Sequence, residues 1–351
     1  MKALFVGLGS IGQRHLRNLQ SLRPDIEVMA VRRSRTVPVL DDINQVVQGV
    51  TVVQQYGVTE FDSLDTALAE CPDLVFVTNP SNMHLEVAAK ALAAGSFVFI
   101  EKPLSHDWKG VDDLLAAERS LGEKRIAVGY QLRFHPTMKL VKSLLSEGRI
   151  GKLINARLVN GEYMPGWHPY EDYRGTYAAR SDLGGGALVT QIHDFDYALW
   201  FFGLPKQVFT VGGHLSSLEI DVEDSVQVLM ACEHDGKPLP VMINLDYLQW
   251  PPSRGFSIVG ELGCIECDLM KSVVTVSNRP SGNTECHELP DYQRNEMFKD
   301  ELRNFLDFSE GKAEPVVDLE VAMESLRMAL AARRSMQDGT AVSLTRHNNG
   351  I

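Results

Sequence analysis

Several groups of residues in this chain of 351 residues have the types and spacing that chemistry requires. The first is Gly7-Leu8-Gly9-Ser10-Ile11-Gly12, which follows the strand-forming run Ala3-Leu4-Phe5-Val6. It leads into a helical pattern in which Leu16, Leu19 and Leu22 recur every third residue. Strand, glycine turn and helix in that order make a cradle for the pyrophosphate of a dinucleotide. Gly7 makes the tight turn, Gly9 lets the main chain approach the phosphates, and Gly12 lets the helix pack on the strand. The N–H groups at the helix start, around Ser10 and Ile11, and the positive end of the helix dipole then face the anion.

A second group closes the next strand. Ile26 to Val31 reads as that strand and ends in Arg32-Arg33-Ser34-Arg35. An acidic residue here would hydrogen-bond the adenosine ribose of NAD, whereas a basic cluster suits a 2′-phosphate. Guanidinium groups bind phosphate bidentately and stack on adenine, so NADP is expected in preference to NAD. A third group is Gly184-Gly185-Gly186 followed by the apolar helix Ala187 to Trp200, on which His193 and Asp196 stand three apart and share a face. The glycines predict a close approach of backbone to the other domain or to a ligand. A fourth is the long loop from Glu162 to Arg174. Its aromatic and hydrogen-bonding residues, Trp167 among them, suit the flat faces and hydroxyls of a sugar or polyol. Arg174 and Arg180 suit a carboxylate or diphosphate; a dimer-contact loop is the competing reading.

The elements that position these groups follow from periodicity. The first half alternates strands with helices. Leu74 to Val77 is a continuous apolar run of the kind buried in parallel sheets, and it ends in Thr78-Asn79-Pro80-Ser81-Asn82. Ser96 to Ile100 is the next strand, with Glu101-Lys102-Pro103 at its carboxyl end, where doubly wound sheets bind ligands. After Ile126 to Val128 and a helix over 137–147 the pattern changes to successive β-rich runs joined by short turns, which indicates antiparallel pairing. Helices over 297–308 and 318–337 close the chain. The fold class is α/β, with domains expected at 1–123 and 124–351.

A formal net charge of −12 excludes nucleic acid and anionic membrane surfaces as expected partners. No apolar run approaches the ~20 residues of a membrane span. The first apolar residues belong to the nucleotide-binding strand rather than to a signal peptide, and five sparse cysteines suggest no disulfide framework. A cytoplasmic location is expected. Cys264-Ile265-Glu266-Cys267 reads as a pair of strand cysteines, because no second pair or nearby histidines complete a metal site. No bound metal is expected.

Four motifs occur in a fixed order: G-x-G-x-x-G-x-x-H from Gly7 to His15, Glu101-Lys102-Pro103, Gly129 to Pro136, and three glycines followed by a helical His and Asp. Together they resemble the glucose–fructose oxidoreductase / inositol dehydrogenase (Gfo/Idh/MocA) family over essentially the whole chain. Segments 165–180 and 184–203 are most similar to a branch of dehydrogenases linked to surface-sugar metabolism. The resemblance implies an N-terminal Rossmann dinucleotide-binding domain plus a C-terminal α+β domain with a large open, mainly antiparallel sheet. It also implies a homodimer or homotetramer formed through that sheet. By the same resemblance Lys102 is the catalytic lysine and His193 the general base or acid. Thr78, Asn79, Pro80 and His84 line the nicotinamide ribose, with Glu101 near it. Tyr130, Arg133, Trp167, Arg174, Thr190 and His193 are expected to meet the substrate.

One departure from the family pattern stands out. Many members carry an acidic residue three or four positions before the histidine, where this chain has Thr190 and Val189. Thr190 can hydrogen-bond a sugar hydroxyl but cannot raise a partner's basicity as a carboxylate does. The expected activity is hydride transfer between NADP or NAD and a sugar, cyclitol or nucleotide-linked sugar. The alternatives are a non-redox reaction on tightly bound NAD and a sensor without turnover.

Overall fold

The computed structural model describes residues 1–32, 37–42 and 44–344. The expectations for Arg33 and Arg35 lie outside the described residues. The chain divides into two compact units. The first comprises Met1–Gln131 and Asn295–Met323. Its sheet is built from β1 (Lys2–Val6), β2 (Glu27–Val31), β3 (Thr59–Phe61), β4 (Leu74–Val77), β5 (Phe97–Glu101) and β6 (Ile126–Gly129). The order is β3-β2-β1-β4-β5-β6, and every pair is parallel. This is the doubly wound dinucleotide-binding order.

The sheet's apolar runs are continuous because both faces are covered. All four residues of β4 are buried, and Phe5 stacks on Phe76 at 4.5 Å between ring centroids. Helix α1 (Ser10–Leu22) contributes Leu16 and Leu19 to this core. Helices α2 (His84–Ala93) and α3 (Val111–Ser120) follow β4 and β5 in the chain. Two findings revise the expected boundary at 123/124. Strand β6 lies beyond that cut yet pairs with β5 along its length, which satisfies its main-chain groups. The late helix spanning Asn295–Ser309 also returns to this unit, burying Leu302, Phe305 and Leu306 in the same core.

The second unit comprises Leu132–Arg294 and Glu324–Ile351. It opens with α4 (Pro136–Ser146), where His135 caps the helix and Pro136 sits in the first turn, a position that needs no N–H. Its sheet contains β7 (Leu153–Gly161), β8 (Gln207–Gly213), β9 (Ser225–His234), β10 (Lys237–Asp246) and β11 (Ser253–Gly260). It continues through β12 (Gly263–Asp268), β13 (Val273–Asn278), β14 (Asn283–Glu288) and the short β15 (Val342–Ser343). The nine strands run β14-β13-β12-β11-β7-β10-β9-β8-β15. All neighbours are antiparallel except β7 and β10, whose parallel register pairs Ala156 with Val241. The sheet is therefore mixed and mainly antiparallel.

Alternation sets its two faces. On β9, Val226, Val228, Met230 and Cys232 are buried, whereas Gln227, Leu229 and Ala231 are exposed. Cys264 and Cys267 lie on β12 three residues apart, an odd spacing that directs them to opposite faces and keeps the thiols free. The single helix expected from Ala187 to Trp200 is two, α5 (Ala187–Thr190) and α6 (His193–Phe202). The last helices are α7 (Asn295–Ser309) and α8 (Leu319–Asp338). Among the described residues no helix is long and apolar enough to cross a membrane.

Candidate active site

The glycine turn of the first unit is built as its spacing demands. Gly7 has φ +98°, and a Cβ there would stand 2.8 Å from the main-chain nitrogen of Asn79. A Cβ on Gly12 would stand 2.5 Å from the carbonyl oxygen of Gly7, whereas one on Gly9 would meet nothing within 4 Å. Two glycines thus permit packing and the third leaves open room. Helix α1 begins at Ser10 with no side-chain cap and no acidic residue in its first turn. Its leading N–H groups and dipole are available to an anion, with Ile11 in the same turn. Thr78 donates from Oγ1 to the carbonyl of Gly7 at 2.6 Å, so it supports the turn from behind.

At the carboxyl end of β4 the side-chain amide of Asn79 is buried, and neither its nitrogen nor its oxygen has a hydrogen-bond partner among the described residues. A buried unpaired amide is costly, which fits a group that a ligand completes. Open space at Gly9, an uncapped helix start and an unpaired amide together fit a bound dinucleotide. Pro80 follows and leads into the turn Ser81–Met83.

His84 stands differently from its expected place on the ribose. Its Nδ1 lies 2.8 Å from the carbonyl of Pro103 and its Nε2 lies 2.8 Å from the carbonyl of Asn79. Both ring nitrogens are engaged with main chain, so His84 braces the two strand-end loops. A neutral imidazole donates only once, and burial, the largest influence, pulls its pKa below the usual value. Arg32 is also committed: its Nε lies 2.5 Å from Glu60 and its side chain is 5% exposed. The guanidinium expected to meet a 2′-phosphate is ion-paired instead.

Lys102 follows the last residue of β5. The Glu101 Oε2 accepts its main-chain N–H at 3.1 Å, and the bond to Pro103 is cis. Tyr130, just beyond β6, is fully buried.

In the second unit His193 is the first residue of α6 and is 5% exposed. The residues around it are fixed by charge. Arg133 meets Asp196 bidentately, Nε to Oδ2 at 2.9 Å and Nη2 to Oδ1 at 2.8 Å, with both side chains buried. Asp196 also accepts from Ser325 Oγ at 3.2 Å. Arg133 is therefore a structural brace and not the expected substrate ligand. Asp194 accepts from Asn160 Nδ2 at 2.9 Å, from Arg254 Nη2 at 3.0 Å and from the Tyr197 hydroxyl. Strands β7 and β11 thereby anchor the start of α6 from below, with Asn160 and Arg254 in register. Apart from Tyr197, three residues on, no local signal reveals this network, because Asn160 and Arg254 are 34 and 60 residues from Asp194.

The glycine run serves the same helix pair. Gly186 has φ +107°, and a Cβ there would stand 2.3 Å from the Glu223 carboxylate. Glu223 accepts the N–H of Leu188 at 3.1 Å. The close approach foreseen for another domain or a ligand is made to this buried glutamate. Thr190 is buried, as is the phenol of Tyr247, whose pKa burial drives well above its ordinary value. Trp167 packs edge-on against Tyr247 at 5.0 Å, and its indole Nε1 is buried with no partner among the described residues. Arg174 is exposed and paired with Asp172 and Glu219, and Arg180 with Asp182. Neither presents the unpaired guanidinium that an anionic substrate would need.

His135 carries a pH signature. Burial first, then the charges of Arg254 and Arg294, lower its pKa from 6.5 to about 4. The unfolded chain takes up a proton near pH 6.5 that the folded chain refuses, so stability is full above that pH and falls as pH drops toward 4. The expected loss is about 3 kcal/mol. Urea denaturation at pH 7 and pH 4 in wild type and His135→Gln measures it, and the substituted chain should lose correspondingly less.

Comparison with known proteins fits this architecture. Residues 1–130 match the model described as an oxidoreductase family with an NAD-binding Rossmann fold, and residues 138–266 match the GFO/IDH/MocA C-terminal domain. The chain belongs to the Gfo/Idh/MocA oxidoreductase family. A myo-inositol 2-dehydrogenase of Thermotoga maritima is 26% identical over 98% of this chain and 98% of its own length. The WlbA dehydrogenase of Bordetella pertussis, solved with NADH and UDP-GlcNAcA, is 21% identical with TM-score 0.79 over 98% of this chain and 99% of its own. The myo-inositol 2-dehydrogenase of Lactobacillus plantarum is 24% identical with TM-score 0.76 over 98% and 99%. This Gfo/Idh/MocA member is an NAD-binding oxidoreductase with the fold of those proteins.

Proposed function

We propose that this Gfo/Idh/MocA enzyme oxidises a secondary alcohol of a sugar, cyclitol or nucleotide-linked sugar, or reduces the matching ketone. The observation that carries the reading is the set of groups along the carboxyl edge of the parallel sheet. Open space at Gly9, an uncapped α1 and the buried amide of Asn79 stand on the same edge as Lys102. Bound there, the nicotinamide supplies hydride acceptance and donation. Lys102 holds or releases the hydroxyl proton and, as an ammonium, stabilises negative charge on the carbonyl oxygen. His193 serves as the second acid–base group. Thr190 offers a hydroxyl for hydrogen bonding in place of a carboxylate. Trp167 offers an apolar face and an indole N–H for a ring bearing hydroxyls.

The test follows nicotinamide fluorescence with myo-inositol, other cyclitols, sugars and UDP-sugars, each with NAD+ and NADP+. Turnover with one of these alcohols supports the reading. Silence with every alcohol while cofactor stays bound through gel filtration moves the weight to the non-redox reaction. Binding of cofactor and sugar without hydride exchange on any substrate supports the sensor. Preference for NADP rests on Arg33 and Arg35, since Arg32 is ion-paired with Glu60. If those two arginines bind a 2′-phosphate, Arg33→Ala/Arg35→Ala should lower the NADP+/NAD+ ratio of kcat/KM at least tenfold.

Association through the large sheet belongs to the same proposal. Its outward face exposes Phe209 and Val211 on β8 and Leu229 on β9, with Phe209 directly opposite Leu229. A contiguous apolar face of this kind favours burial against a second copy. Leu229→Glu is expected to shift the protein from dimer or tetramer to a smaller species in light scattering, with little change in folded stability.

A further inference from the structure

Behind the carboxyl edge of the first unit's sheet lies a buried pair of side chains. His15, on the second turn of α1, is fully buried, and its Nε2 stands 2.6 Å from Oε1 of Glu101. The other carboxylate oxygen of Glu101 accepts the main-chain N–H of Lys102 at 3.1 Å. One carboxylate thus joins the helix that follows the glycine turn to the residue that carries the lysine.

Among the described residues, the surroundings give the imidazole no competing hydrogen-bond partner. Phe99 meets the His15 ring edge-on at 5.0 Å, Phe298 edge-on at 6.1 Å, and Phe76 stacks at 6.4 Å. Its Nδ1 is buried with no hydrogen-bond partner among the described residues. An apolar ring would fill such a cage at lower cost in desolvation. Among the described residues, the one side-chain hydrogen bond that His15 makes there is with Glu101, and the carboxylate fixes which nitrogen carries the hydrogen. Space for the pair is provided on the neighbouring strand. Gly129 is in register with Glu101, and a Cβ on it would stand 3.4 Å from the Glu101 Oε1 and 2.9 Å from the Phe99 ring.

We propose that His15 is a positioning residue for Lys102: by holding Glu101, it fixes the main chain at the end of β5 and couples the phosphate-binding helix to the proton-transferring group. This rests on the role given to Lys102 under the proposed function. His15 itself touches neither the reacting atoms nor the substrate. Its effect passes through two hydrogen bonds, both to one buried carboxylate, and charge-assisted bonds of that kind are the stiff ones.

The test reads Lys102 directly and needs no substrate. The full-length protein is labelled with fluorodinitrobenzene at fixed pH, and modification of Lys102 is followed by peptide mass spectrometry, with the exposed Lys271 as internal reference. His15→Phe keeps the aromatic packing and removes the bond; His15→Gln restores a donor of similar reach. Labelling of Lys102 relative to Lys271 should rise about fivefold in His15→Phe and return to within twofold of wild type in His15→Gln. Glu101→Gln, which preserves shape, should raise labelling similarly and serves if His15→Phe does not fold. A ratio in the folded variants that stays within twofold of wild type, or falls, overturns the proposal. If the labelling changes as expected while no alcohol is turned over by wild type, the coupling stands and the proposed activity fails. The two failures are therefore separable.

Discussion

Lys102→Met is expected to lower the rate of hydride transfer by about a thousandfold, the range that positioned acid–base groups contribute. Methionine matches the length and flexibility of lysine but neither holds a proton nor stabilises an oxyanion. NAD+ affinity should change less than threefold, because the groups proposed to meet the phosphates are the N–H groups at the uncapped start of α1 and not the Lys102 side chain. Single-turnover fluorescence gives the rate and isothermal titration gives the affinity. A parallel fall in both would mean that Lys102 serves cofactor binding and that the proton is handled elsewhere.

The second large effect is on stability. Arg133→Met should destabilise the second unit by about 3–5 kcal/mol, because it leaves the Asp196 carboxylate buried without its guanidinium. Ser325 remains as a single donor at 3.2 Å and cannot replace a bidentate cation. Trp200, whose ring lies 5.4 Å from the Arg133 guanidinium, reports the transition by fluorescence in urea. The double variant Arg133→Met/Asp196→Leu should recover much of the loss, since an apolar pair leaves no charge to desolvate. Failure of the double variant to recover would show that the pair is needed for a unique packing rather than for neutralisation.

Much of the first unit was legible in the sequence because its signals are local. Glycine spacing, a continuous apolar β4 and helical periodicity in α1 each follow from neighbours within a few residues. The carboxyl-edge groups follow from those strands, so Thr78, Asn79 and Lys102 fall at strand ends as read. The sheet of the second unit was legible as alternation, although its one parallel pairing, β7 with β10, leaves no local trace. Where the reading went astray, the cause is a distant partner. Arg133 and Arg32 looked available as isolated cations, and each is held by a carboxylate that sequence separation hides, whereas Arg174 is held by Glu219 and also by Asp172, only two residues away. His84 looked like a ligand and is a brace between two carbonyls. The run through His193 carries no glycine or proline to interrupt a helix, yet the helix breaks after Thr190. Thr190 and Val189 therefore lie on a different helix from His193.

The return of α7 to the first unit bears on how the protein is made. Phe305 lies edge-on to both Phe76 and Phe99, at 5.4 Å from each, so the aromatic layer over the parallel sheet includes a residue from near the end of the chain. On the ribosome, a nascent chain ending at Gln131 would hold all six strands and still lack that cover. Burial of the sheet must wait until the whole second sheet except β15 has been synthesised. The dinucleotide-binding unit is therefore not a cassette that can be cut out at a linker or grafted ahead of another domain. Its core is completed only late in biosynthesis, and the exposed Phe76–Phe99 surface is what a chaperone would shield until then.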